Sequence, residues 1–142
     1  MQIEIRKYSG GDEPAVIALW TEILFNGAPH NDPATSLRKK LETDPELLFV
    51  AAIDGQVVGT VMGGYDGHRG WIYSLAVDDR YRRRGIGAAL IRRVEAALID
   101  RGCLKINLQV RNSNAEVIAF YRKLGYSVDE VLSMGKRVLE NG

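Results

Sequence analysis

"WIYSLAVDDRYRRRGIGAAL" (71–90) is the stretch whose reading decides the fold. Residues 71–77 are rich in β-branched and aromatic side chains, as a strand requires. Arg82, Arg83 and Arg84 then run into Gly85 and Gly87. Helical spacing begins at Ile86 and continues through Leu90, Val94 and Leu98, with Gly102 as the expected stop. A strand that turns into a helix in this way leaves the first-turn N–H groups of the helix without internal acceptors. Those groups and the helix dipole favour an anion beyond the strand end. Glycines there let a bulky phosphate approach the backbone. Two readings of the turn stay open at this point: a phosphate grip, or an exposed basic loop before a helix. It is not a P-loop, because no Gly-Lys-Ser/Thr follows, and Leu90 stands where a dinucleotide fingerprint has its third glycine.

The flanks extend the pattern. "LLFVAAI" (47–53) and "QVVGTVMG" (56–63) flank Asp54-Gly55, which predicts a β-hairpin. "GYDGHRG" (64–70) is a glycine-rich turn into the strand at 71–77. Near the start, residues 2–7 alternate as a half-buried strand. Asp12 is expected to cap a helix carrying Val16, Leu19, Trp20, Ile23 and Leu24. "NGAPHNDP" (26–33) reads as a loop, and Asp32-Pro33 opens a second helix that Pro45 stops. Downstream come a strand at 105–110, a helix at 114–124 and a closing pair of strands within 126–138. The order β-α-α-β-β-β-α-β-α-β-β predicts a single α/β domain over 1–142, with a mixed, mostly antiparallel central sheet flanked by helices.

Composition narrows the function classes. The 142 residues carry 19 basic and 18 acidic side chains, a net charge of +1. That balance argues against nucleic-acid binding driven by bulk charge. No apolar run approaches the ~20 residues of a membrane span, and no signal peptide is visible. The single cysteine, Cys103, forms no internal disulfide and suits a reducing cytoplasm. It reads as a small buried hydrophobe. His30 and His68 lie far apart without metal-ligand spacing, so no metal is expected.

"LAVDDRYRRRGIGAAL" (75–90) taken with "NSNAEVIAFYRKLGY" (112–126) resembles the GCN5-related N-acetyltransferase (GNAT) superfamily. That family has a Gln/Arg-x-x-Gly-x-Gly/Ala turn between its fourth strand and third helix; here it is Arg82 to Gly87. Further on it has a strand, an asparagine opening the next helix and a tyrosine seven residues later; here these are "KINLQV", Asn114 and Tyr121. "TVMGGYDGHRG" (60–70) further resembles a YpeA-like bacterial subgroup. The resemblance implies acetyl-CoA as cosubstrate and a primary amine as acceptor. The backbone of Leu75, Ala76 and Val77 would pair with the pantetheine arm. Arg82, Arg83, Arg84, Gly85, Ile86, Gly87 and Ala88 would hold the pyrophosphate, and Asn114 would contact the pantetheine or its neighbouring backbone. It also implies that the fourth and fifth strands splay apart around the donor, and it allows a homodimer.

Tyr121 is then the expected general acid, protonating the thiolate that leaves. Its place on an apolar helical stripe leaves a core role as the alternative. The expected base is missing. Where N-terminal acetyltransferases of the superfamily carry a Glu, this chain has Gln109, and an amide accepts no proton near neutral pH. Glu22, His30, Asp32 and Asp66 are candidates from segments that wall the acceptor site in the family. A water chain fed by Tyr73, Ser74 or backbone carbonyls is another route. An acceptor with a low pKa, such as an α-amine, needs little base. Trp20 reads as core, or as a wall of the acceptor cleft. Gln109 also keeps open a non-catalytic acyl-CoA-binding module on the same fold.

Overall fold

The computed structural model describes residues 2–138. The chain runs β1 (Ile3–Lys7), α1 (Glu13–Ile23), α2 (Pro33–Thr43), β2 (Leu48–Ile53), β3 (Gln56–Tyr65), β4 (Gly70–Val77), α3 (Ile86–Asp100), β5 (Ile106–Leu108) and α4 (Ala115–Lys123). Asp54 and Gly55 take left-handed backbone, φ 51° and 78°, as the tight turn from β2 to β3 demands. The five strands form one sheet in the order β1-β2-β3-β4-β5. The first four pair antiparallel, and β5 pairs parallel with β4. The chain divides into two compact units, residues 1–109 and residues 110–142. The first holds the whole sheet with α1, α2 and α3; the second holds α4.

Every residue of β2 is buried, because helices cover both of its faces. Leu48 and Val50 join Val16, Leu19 and Trp20 of α1 and Leu37 of α2 in one cluster. Phe49, pointing the other way, lies under the Arg93 guanidinium of α3 at 5.2 Å. α3 buries Ile86, Leu90, Val94 and Leu98, the stripe read from the sequence, and Ile91 beside it. Glycines let α3 lie close to the sheet. A Cβ at Gly63 would stand 2.6 Å from Val94 Cγ2, and one at Gly70 would stand 2.6 Å from Cys103 Sγ. Arg101, just past α3, donates to both oxygens of Asp44 at 2.7 and 3.1 Å, tying that end to the stop of α2.

Three expectations change. Asp12 does not cap α1. Its carboxylate accepts from Arg6 at 2.8 and 2.9 Å and from Ser9 N–H at 2.9 Å, so it joins β1 to the turn before the helix. The strand at 105–110 shrinks to Ile106–Leu108. No strand forms over 126–138, so the closing pair is absent among the described residues. Tyr126, Val128, Leu132, Met134 and Val138 share one phase of the alternation, which Glu130 and Lys136 interrupt. That pattern would suit a strand, but Val128, Val131, Leu132, Met134 and Val138 are exposed and no strand pairs with the segment among the described residues.

Candidate active site

The site begins at an interruption in β4. β5 pairs only with Gly70, Trp71 and Ile72, so the ladder between these strands ends there. On its other side β4 remains paired to β3, Ala76 with Thr60 and Val77 with Gly59. Leu75, Ala76 and Val77 thus have one strand neighbour, and no strand of the described residues pairs with their second edge. The β4–β5 ladder stops after three pairs, while β4 runs on to Val77.

Within the same strand, Ser74 adopts φ 52°, rare for a residue with a side chain, and the β3–β4 register shifts between Thr60 and Met62. A buried relay holds this bulge. Trp20 Nε1 donates to Thr60 Oγ1 at 2.7 Å, and Thr60 Oγ1 donates to Ser74 O at 3.1 Å. Thr60 is fully buried. A buried hydroxyl of this kind is costly unless both its roles are filled, and here both are. The sequence reading did not single out Thr60. The only signal was one hydroxyl inside the apolar run "VVGTVMG" (57–63).

β4 leads through Asp78 and a 3-10 turn at Asp79–Tyr81 into the basic turn. Arg83 has φ 64° and Gly85, the N-cap of α3, has φ 79°. Ala89 N–H is bonded to Gly85 O at 3.0 Å, so the N–H groups of Ile86, Gly87 and Ala88 precede the first intrahelical acceptor. Left-handed residues beside a helix start turn successive N–H groups into an anion-binding hollow. The arginines differ. Arg82 pairs with Asp79 at 2.8 Å, and the Arg84 guanidinium lies over the Tyr81 ring at 5.3 Å. Arg80, outside the motif, makes two bonds to Asp78, at 3.1 and 2.8 Å.

In the second unit, Asn114 is the N-cap of α4, its Oδ1 accepting from Val117 N–H at 3.2 Å. Tyr121 is buried, with Phe120 and Tyr126 edge-on to its ring at 5.0 and 5.6 Å. Burial pushes its pKa up to about 12, so the phenol keeps its proton throughout the physiological range.

A cavity of about 210 Å³ opens on the α1–α2 side of β4, lined by Trp20, Leu24, Asn31, Pro33, Ser36 and Ser74. Trp20 therefore belongs both to the core and to this wall. The four acid–base candidates do not line it. Glu22 and His30 are exposed. Asp32 caps α2 by accepting from Thr35 N–H at 3.0 Å. Asp66 accepts from His68 and Arg69 N–H at 2.8 and 2.7 Å, organising the β3–β4 turn. Cys103 is buried, its thiol donating to Lys105 O at 3.2 Å. No cluster of three metal-binding side chains occurs among the described residues. Nor is any helix there long and apolar enough to cross a membrane.

A mixed sheet open between β4 and β5, with an anion-shaped turn at the open end and α3 behind it, defines an acyltransferase architecture. The chain belongs to the acetyltransferase (GNAT) family, whose model matches residues 14–126. An acetyltransferase of Sodalis glossinidius is 50% identical over 140 residues, which cover 98% of each chain. Among solved structures, Ard1 from Thermoplasma volcanium is 29% identical with a TM-score of 0.78, covering 91% of this chain and 85% of that one. The aminoglycoside N-acetyltransferase AAC(6')-Iy in complex with CoA has a TM-score of 0.81 at 18% identity, covering 97% of this chain and 96% of its own, a likeness of fold alone.

Proposed function

We propose that the chain is an acetyl-CoA-dependent N-acetyltransferase that transfers acetyl to a primary amine by direct attack, with both substrates bound. The observation that carries this reading is the open edge of Leu75–Val77 running into the turn at 82–88. An unpaired strand edge accepts an extended chain of amides by backbone hydrogen bonds, as a pantetheine arm would offer. The hollow made by the N–H groups of Ile86, Gly87 and Ala88 suits a pyrophosphate, with Arg82, Arg83 and Arg84 adding side-chain contacts. Charge-assisted bonds worth roughly 1.5–3 kcal/mol each, three or four together, reach the about −8 kcal/mol of micromolar binding. Asn114, its oxygen engaged in the cap, has its amide NH2 to offer the donor. The CoA in the complex of the aminoglycoside enzyme named above supports the same donor.

Bound acetyl-CoA supplies an activated acetyl thioester. Backbone N–H groups at the β4 bulge orient its carbonyl and stabilise charge on that oxygen. Tyr121 gives its phenolic proton to the departing sulfur, a role suited to a phenol that burial keeps neutral. Free-thiol release from acetyl-CoA in the presence of a panel of amines tests the reading. Amine-dependent release is the expected result. Tight CoA binding without turnover on peptides, amino acids, polyamines and aminoglycosides would replace it with a non-catalytic acyl-CoA-binding module.

A further inference from the structure

The segment that follows α4 keeps its apolar side chains in solvent. Val128, Val131, Leu132, Met134 and Val138 are each at least two thirds exposed. Four of them, Val128, Leu132, Met134 and Val138, share one phase of an alternating pattern. Residues 131–138 form neither helix, turn nor strand, and a bend stands at Glu130. Exposed apolar residues that occur singly need no explanation, but a concentrated set marks an interaction surface. The charges of the segment are ordered as well. Asp129 and Glu130 precede Ser133 by four and three positions, and Lys136 and Arg137 follow it by three and four. The acidic half is the mirror image of the basic half.

We infer that residues 128–138 are a dimer interface, in which the segment pairs antiparallel with the same segment of a second copy across a two-fold axis at Ser133. Val128 of one copy then faces Val138 of the other, Asp129 faces Arg137, Glu130 faces Lys136, Val131 faces Gly135 and Leu132 faces Met134. Each contact occurs twice, because a two-fold interface is self-complementary. Opposite residues of an antiparallel pair share a face. One face gathers Val128, Leu132, Met134 and Val138 from both copies, with Glu130 and Lys136 paired among them. The other face carries the Asp129–Arg137 pairs. Every charged residue between 128 and 138 meets an opposite charge. The inference stands apart from the acetyl-transfer reading, since none of these residues belongs to the proposed donor site.

Charge selects this register over its neighbours. Sliding the strands by one residue keeps one kind of ion pair, Asp129 with Lys136 or Glu130 with Arg137. The remaining acid then falls on Gly135 or on Val138. Sliding by two keeps neither pair. A parallel pairing in register sets acid on acid and base on base, which is destabilising. The interruptions of the apolar phase at Glu130 and Lys136 thus gain a purpose: they fix the register and exclude other pairings. A second copy also supplies the partner edge that a lone strand lacks, and pairing straightens the bend at Glu130. A two-stranded ribbon is marginal in water, so the association is reversible and concentration-dependent.

Charge exchange tests the interface, because Glu130 and Lys136 are exposed and their substitution leaves the core untouched. Sedimentation equilibrium of the full chain from about 1 μM to 1 mM should show a monomer–dimer equilibrium. Glu130→Lys sets lysine against lysine twice, and Lys136→Glu sets glutamate against glutamate twice. Each variant alone should dimerise about tenfold more weakly. An equal mixture of the two should form heterodimers with the wild-type dissociation constant, seen by native mass spectrometry with one chain tagged. The chain carrying both substitutions should recover the wild-type homodimer. Cysteine cross-linking tests the axis. Opposite Cα atoms of an antiparallel pair lie about 4.5–5.5 Å apart, within disulfide reach. Ser133→Cys should therefore give a covalent dimer under mild oxidation, and Val131→Cys, opposite Gly135, should give little. The wild-type chain, whose one thiol is the buried Cys103, is the control. A monomer at every concentration overturns the inference. So does a dimer that the two charge substitutions leave unchanged, or one that cross-links equally at 131 and 133.

Discussion

At the scale of single residues, the backbone of the basic turn matters more than its charge. Arg83 and Gly85 hold positive φ, and α3 starts immediately beyond them, so the anion hollow is a property of the main chain. Gly87 lies in the first turn of α3, where a carboxylate side chain would bring negative charge to the N–H groups proposed for the pyrophosphate. Gly87→Glu should therefore abolish CoA binding measured by calorimetry. Arg84 is partly directed to Tyr81, so Arg84→Ala should weaken that binding by less than about tenfold, within the range of one exposed charge contact. Tyr121 gives a second test. Its folded pKa of about 12 lies above the ordinary tyrosine value of 10.0, so the folded state holds its proton more tightly than the unfolded chain. The resulting stability is fully present below about pH 10 and is lost as pH rises through about 12, an amount of roughly 2–3 kcal/mol. As the general acid it should show no loss of function from its own ionisation below about pH 10. Tyr121→Phe should lower kcat by about a hundredfold, in the usual range of acid catalysis, with the KM of acetyl-CoA little changed. Wild-type turnover in that variant at every pH would return Tyr121 to a purely structural role.

At the scale of elements, the sequence was legible wherever one local rule governed. Asp54-Gly55 set a hairpin, Asp32-Pro33 a helix start, and the 82–87 motif a strand-to-helix turn, and each is built from neighbours in the chain. The reading failed where a residue had two physical uses, or needed a distant partner. Asp12 could cap a helix, but a bidentate bond to Arg6 is stronger, and Arg6 belongs to another element. Thr60 acquires its function only through Trp20 and Ser74, separated from it by 40 and 14 positions. The alternation in 126–138 reads as strand, but a strand also needs a partner edge, and none pairs with it among the described residues. Asp12→Ala should cost about 1–3 kcal/mol in denaturant unfolding, as for a partly buried charge-assisted pair that loses one partner. Arg6 holds the Asp12 carboxyl below its ordinary pKa. That stabilisation is complete above the ordinary value and is lost as pH falls through the folded one. The α3–sheet contact offers a cleaner test, because its constraint is steric. Gly63→Ala sets a methyl 2.6 Å from Val94 Cγ2 and should destabilise by about 1–3 kcal/mol. Val94→Ala in the same chain should restore part of that loss, a coupling absent if the two sites are independent.

For the molecule as a whole, the proposed reading has one sheet serve stability and donor binding in different places. β2 and its helical cover form the core, while β4, still paired to β3, loses its pairing with β5 after Ile72 and presents an edge there. A sheet with an unpaired edge forgoes hydrogen bonds that a ligand can supply, so occupancy and stability should be linked. The linkage has a definite size. A ligand binding only the folded chain at a hundred times its Kd stabilises it by about 2.7 kcal/mol. For a chain of 142 residues each kcal/mol moves the melting temperature by roughly 3–4 °C. Acetyl-CoA at that saturation should therefore raise Tm by about 8–10 °C, followed by dye fluorescence or circular dichroism. The shift should vanish in Gly87→Glu and fall only slightly in Arg84→Ala, in the order of their CoA affinities. If acetyl-CoA failed to move the wild-type transition at saturating concentration, the open edge of Leu75–Val77 could not be its binding surface.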